Sequence, residues 1–149
     1  MGRPSRLAWA ILLGAGIVLV IAGAASIAVG ILNPGLISSQ LPPEAAVDAP
    51  AVGGAAVALG VATAFLGLVH GAMAVALRLG VRVAATGAVV LASTMAVLAL
   101  GFAVAAVVSI ASGSAPAIYM VPAAIGLGLG VIGYAIVTAL VIRSRGEPI

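Results

Sequence analysis

The chain has 149 residues, 64% of them hydrophobic and only 6% charged, with a mean hydropathy of +1.40, whereas soluble domains are about half apolar and a quarter charged. That composition excludes an ordinary soluble domain and reads as an all-α integral membrane protein. The basic residues are six arginines, the formal net charge is +3 and there is no cysteine, which argues against nucleic-acid partners and excludes disulfides, thiolate nucleophiles and thiolate-held metals.

A helix needs about 20 apolar residues to cross the hydrocarbon core. Four charge-free runs meet that requirement, at about 7–32, 52–77, 83–111 and 117–142, and they form a single transmembrane domain. The first, "MGRPSRLAWAILLGAGIVLVIAGAA", has the basic start of a secretory signal. Its apolar stretch continues to Leu32, longer than a signal core, so it is expected to stay as a signal-anchor-like first span, with Trp9 as an interfacial anchor.

After it comes "NPGLISSQLPPEAAVDAP", an extracytoplasmic loop over about 33–51 with four prolines and the acids Glu44 and Asp48. The two carboxylates stand four apart, so one helical turn puts them on the same side, facing a cation or a basic partner. No metal-binding consensus accompanies them.

The second span carries Ala56, Gly60, Thr63, Ala64, Gly67, His70, Gly71 and Ala74 on one face, a helix-packing stripe with a GxxxG step at Gly67 and Gly71. Phe65, Leu68, Val69 and Ala76 lie opposite, toward lipid. The first span offers Ala22, Ser26 and Gly30 for packing, and the third Ala88, Ala92 and Ala96. In the fourth, Gly126, Gly130 and Gly133 form a second small-residue groove. Pro122 there removes a hydrogen bond to the Ile118 carbonyl, so the helix either begins near Met120 or kinks, with Tyr119 at the outer interface.

The turns "RLGVR" and "SGSAP" make sequential helices antiparallel neighbours. Arg3, Arg6, Arg78, Arg82, Arg143 and Arg145 then fall on one side and Glu44 and Asp48 on the other, which by the positive-inside rule puts both termini in the cytoplasm. Arginine without lysine, with abundant Ala, Gly and Val, fits a GC-rich bacterial genome and an inner-membrane location.

His70, the only histidine, stands eight residues before Arg78, about 12 Å into the membrane. Ionisable groups at that depth commonly mark function, so His70 is the candidate cofactor-binding residue, for haem or another ligand. A self-contained haem needs a second ligand, for which the chain offers only Met73 or Met95, and a proton path needs carboxylates inside the spans, which have none. The expected role is a neutral histidine hydrogen-bonded to another helix, with Thr86, Ser93, Thr94, Ser109, Ser26 and Tyr134 as available partners, and no cofactor is expected.

Hydrolase, metalloprotease, P-loop and dinucleotide motifs are missing, and "GLGLG" at 126–130 lies in mid-membrane without a preceding strand. The sequence therefore points to a non-enzymatic accessory or scaffold subunit, partnered by the lipid bilayer and by larger subunits of a respiratory or photosynthetic complex or by its own copies. The alternative is a small homo-oligomeric transporter or channel component, or a handler of a hydrophobic molecule.

Overall fold

A computed structural model describes residues 3–39, 48–113 and 117–145. Its helices are α1 (Arg3–Leu32), the short α2 (Pro34–Ser38), α3 (Ala49–Arg78), α4 (Arg82–Ala111) and α5 (Ala117–Arg145). Four of them are long and apolar enough to cross a membrane, over Arg6–Leu32, Pro50–Arg78, Val83–Ala111 and Met120–Ser144. The chain is thus a multi-pass membrane protein. At 1.5 Å per residue its 30-residue helices are about 45 Å long, beyond the ~30 Å hydrocarbon thickness, so they tilt or extend into the headgroups.

Helix ends follow local chemistry. Leu32 is followed by Asn33 and then Pro34, which opens α2 at a position where its missing N–H costs nothing. The α3 helix closes in a Schellman motif: the Val81 N–H reaches the Ala76 carbonyl and the Gly80 N–H the Leu77 carbonyl, both at 3.1 Å, with Gly80 at φ +73°. Side chains with a Cβ avoid that backbone conformation, and glycine adopts it freely. Gly113, at φ +69°, ends α4 in the same way, its N–H bonded to the Ile110 carbonyl. The α5 helix begins ahead of Pro122, not near Met120, so Pro122 sits past the first turn and leaves the Ile118 carbonyl without its usual donor.

The chain forms two compact units. One is Leu12–Ala72, which holds most of α1 and α3 with α2 between them. The other combines Met1–Ile11 with Met73–Ile149 and contains α4 and α5. In this second unit α4 packs along α5. Ala84, Ala88, Ala92, Ala99 and Ala106 are the buried residues of α4, and Tyr134, Val137 and Val141 those of α5. Large side chains such as Phe65, Leu68, Val97, Phe102 and Leu129 point outward, the arrangement expected where lipid is the solvent.

The Gly80 position yields a direct test. An added Cβ there meets nothing, so Gly80→Ala loses stability only through backbone strain, about 1–2 kcal/mol. Gly80→Asn, whose short polar side chain tolerates this conformation, loses less. Equilibrium unfolding in mixed micelles measures both, and an unchanged Gly80→Ala rules out the strained turn.

Candidate functional site

Within the first unit, Gly16, Gly23 and Gly30 of α1 recur every seven residues, as do Gly53, Gly60 and Gly67 of α3, and all six are buried. Seven residues fall about 20° short of two turns, so each triplet draws one narrow stripe down its helix. The stripes meet. A Cβ added to Gly16 would stand 2.8 Å from the Gly67 carbonyl oxygen, one on Gly23 2.5 Å from that of Gly60, and one on Gly30 2.7 Å from that of Gly53. Added to the α3 glycines, it would meet the carbonyls of the same α1 partners at 2.7 Å. The pairs follow opposite orders, rising along α1 as they fall along α3.

Side chains complete the seam by a simple rule: each glycine receives the residue four positions after its partner glycine. Val20 meets Gly67, Ile27 meets Gly60, Ala64 meets Gly23, Val57 meets Gly30 and Pro34 meets Gly53. The sixth such position is Gly71, which has no side chain and nothing within 4 Å of where a Cβ would stand. A crevice of about 240 Å³ opens there, lined by Gly16, Gly67 and Gly71 and by the exposed Ile17, Ile21 and Leu68. The Ser26 Oγ donates across the seam to the Ala56 carbonyl at 2.8 Å, and Thr63 turns back to the Leu59 carbonyl of its own helix.

These contacts redraw the expected packing faces. Gly60, Gly67 and Gly30 lie in the close pairs, but on α1 the seam runs through Gly16 and Gly23, while Ala22 is exposed. Gly71 and Gly126 have nothing within 4 Å of an added Cβ, while Gly130 and Gly133 stand at ordinary contact distance, 4.0 Å from the Ala99 Cβ and 3.9 Å from the Ile11 Cγ2. The physical reason is the period: backbone approach repeats here every seven residues, which a four-residue GxxxG step does not track.

His70 is 0% exposed and is the buried polar residue of the described core. Its Nδ1 lies 2.8 Å from the Leu66 carbonyl. A carbonyl only accepts, so Nδ1 carries a proton, and in the neutral ring Nε2 is left as the acceptor. The Nδ1 proton is therefore satisfied one turn back on its own helix, and the Ser26 hydroxyl donates to Ala56. The chain itself encloses the ring. Met73, considered above as a second haem ligand, extends its methyl to within 2.7 Å of an added Cβ on Gly87; it fills the space that Gly87 leaves on α4.

Asp48 is exposed immediately before α3, and its carbonyl accepts the Val52 N–H. An acid at that position favours the positive end of the helix dipole. Glu44 lies outside the described residues, as does the side chain of Tyr119. In the second unit the Arg78 guanidinium sits 5.0 Å above the Trp9 ring centroid, within cation–π range. Trp9 Nε1 and Thr138 Oγ1 are buried without a hydrogen-bond partner among the described residues. No three His, Cys, Asp or Glu side chains among those residues converge as a metal site would require.

Comparison of the chain with protein-family models, with curated proteins and with solved structures finds no match.

The seam separates glycines that tolerate a methyl from those that do not. Gly23→Ala drives its Cβ into the Gly60 carbonyl and the Ala64 backbone and destabilises by about 1–3 kcal/mol, the usual cost of overpacking. Gly71→Ala has open space and raises helix preference by up to ~1 kcal/mol, so it is neutral or stabilising. Paired unfolding curves in the same detergent test this contrast, and equal losses for the two variants refute the seam.

Proposed function

We propose that this protein is a non-enzymatic accessory or scaffold subunit that packs on a larger membrane protein complex. The observation that carries this reading is the set of glycines without a neighbour. Gly101 in α4 and Gly126 and Gly128 in α5 have nothing within 4 Å of an added Cβ. A glycine that only faces lipid gives up about 1 kcal/mol of helix preference relative to alanine in water and gains no contact, whereas between membrane helices small residues serve close backbone approach. On this reading the open side of α5 at Gly126 receives a helix of the larger subunit, and the outer loop with Glu44 and Asp48 lies against the same partner.

The four spans of the proposed topology are antiparallel, with both termini cytoplasmic in a bacterial inner membrane. Two observations support it. Seam contacts follow opposite orders along α1 and α3, and Arg78 at the end of α3 reaches Trp9 near the start of α1, which joins two arginine-bearing ends as the positive-inside rule asks.

A second reading, a handler of a hydrophobic molecule, draws support from the crevice at Gly71. It is apolar and opens beside exposed Ile17, Ile21 and Leu68.

Purification of the tagged protein from native membrane in gentle detergent tests the first reading. Larger subunits are expected to co-purify in fixed proportion, and Gly126→Leu is expected to release them while the isolated chain keeps its fold, because a Cβ at that position has open space around it. A stable chain that co-purifies with nothing overturns the proposal, and solute flux into liposomes containing only this protein would favour the transport alternative.

A further inference from the structure

We propose that the arginine-bearing end of this protein holds an anionic phospholipid, its headgroup phosphate seated on Arg78. Arg78 closes α3 and is exposed, yet its guanidinium is not free to wander, because it lies 5.0 Å above the Trp9 ring. A planar guanidinium fork matches phosphate oxygens in pairs, and holding it against an aromatic face reduces the side-chain freedom lost on binding.

Other positive charges stand near helix ends. Arg6 is exposed one turn before Trp9 in α1, Arg82 opens α4 four residues after Arg78, and Arg143 is exposed near the end of α5. Nothing acidic among the described residues offsets them. Asp48, the one described acid, precedes the first residue of α3, whereas Arg78 is its last; the 30 residues between put them about 45 Å apart. A set of arginines at the ends of membrane-spanning helices, with no described carboxylate beside them, is the chemistry that recognises anionic lipid headgroups.

The chain carries its own reporter, since Trp9 is its only tryptophan. The experiment reconstitutes the full chain in phosphatidylcholine vesicles that contain a minor fraction of either brominated phosphatidylglycerol or brominated phosphatidylcholine, and measures quenching of Trp9 emission. Brominated phosphatidylglycerol is expected to show about a five-fold greater local occupancy, the preference that one surface arginine confers, weakening as salt is raised. Arg78→Gln should lose most of that preference.

Equal quenching by the two lipids in the wild-type protein overturns the proposal, and this arm needs no variant to fold. A preference intact in Arg78→Gln overturns the seat on Arg78. If inorganic phosphate at matched ionic strength abolishes the preference, the site takes free anions and the lipid assignment fails.

Discussion

In a bilayer, a side chain buried against another helix gains little over one buried in lipid, so helices hold together only where they fit more closely than lipid tails can. The closest fit is backbone on backbone. The Gly16/Gly67, Gly23/Gly60 and Gly30/Gly53 pairs reach it, with each carbonyl oxygen 2.5–2.8 Å from where the partner's Cβ would be. Such an approach gathers dispersion contacts and weak Cα–H···O bonds along the whole seam, which offset the helix preference that six glycines forgo. The bond from Ser26 to the Ala56 carbonyl adds a polar contact across the seam, where the hydroxyl could instead have turned back to its own helix as Thr63 does.

This constraint also explains where the larger residues go. A narrow seam has room for one side chain beside each glycine, and Val20, Ile27, Val57, Ala64 and Pro34 occupy those positions. Gly71 breaks the series. The crevice follows from that single substitution in the pattern, since the seam stays tight on the Gly67 side while the position meant for a filling side chain holds a hydrogen. The void therefore lies at one end of a well-packed interface and does not reflect loose packing along it.

Much of the helical layout was legible in the sequence because its punctuation is local. Leu32 ends before Asn33 and Pro34, Arg78 before Gly80 and Ala111 before Gly113, and each breaker acts through its own dihedral angles or its missing N–H, with no help from distant residues. The packing face was harder to read. Small residues cover a broad sector of every span, so a sector drawn at 100° per residue admits the exposed Ala22 beside Ser26 and Gly30 and favours the GxxxG step at Gly67 and Gly71. The deciding signal, glycine at 16, 23 and 30 and again at 53, 60 and 67, was present as a recurrence of seven, a period that drifts by about 20° per repeat on a straight helix and is hidden by the wider stripe. Which carbonyl receives the His70 proton was beyond reach of periodicity, because it depends on the side-chain rotamer. A backbone carbonyl one turn back is available at any helical position, so the Leu66 bond has no sequence signature.

The chain thus contains two kinds of glycine with one composition. Those of the α1 and α3 seam are committed to their own backbone, and a methyl on any of them collides with a carbonyl. Gly101, Gly126 and Gly128 have no such commitment, although they give up the same helix preference. Arg78 presents the same imbalance in charge: it is positioned on Trp9 and has no described carboxylate near it. Packing is closed along the paired glycines of the seam and open at Gly101, Gly126 and Gly128, and the arginine-bearing helix ends carry charge that no described carboxylate offsets. A membrane helix fits the first and a phosphate headgroup the second, so the two proposed partners are distinguished by depth in the bilayer as well as by chemistry.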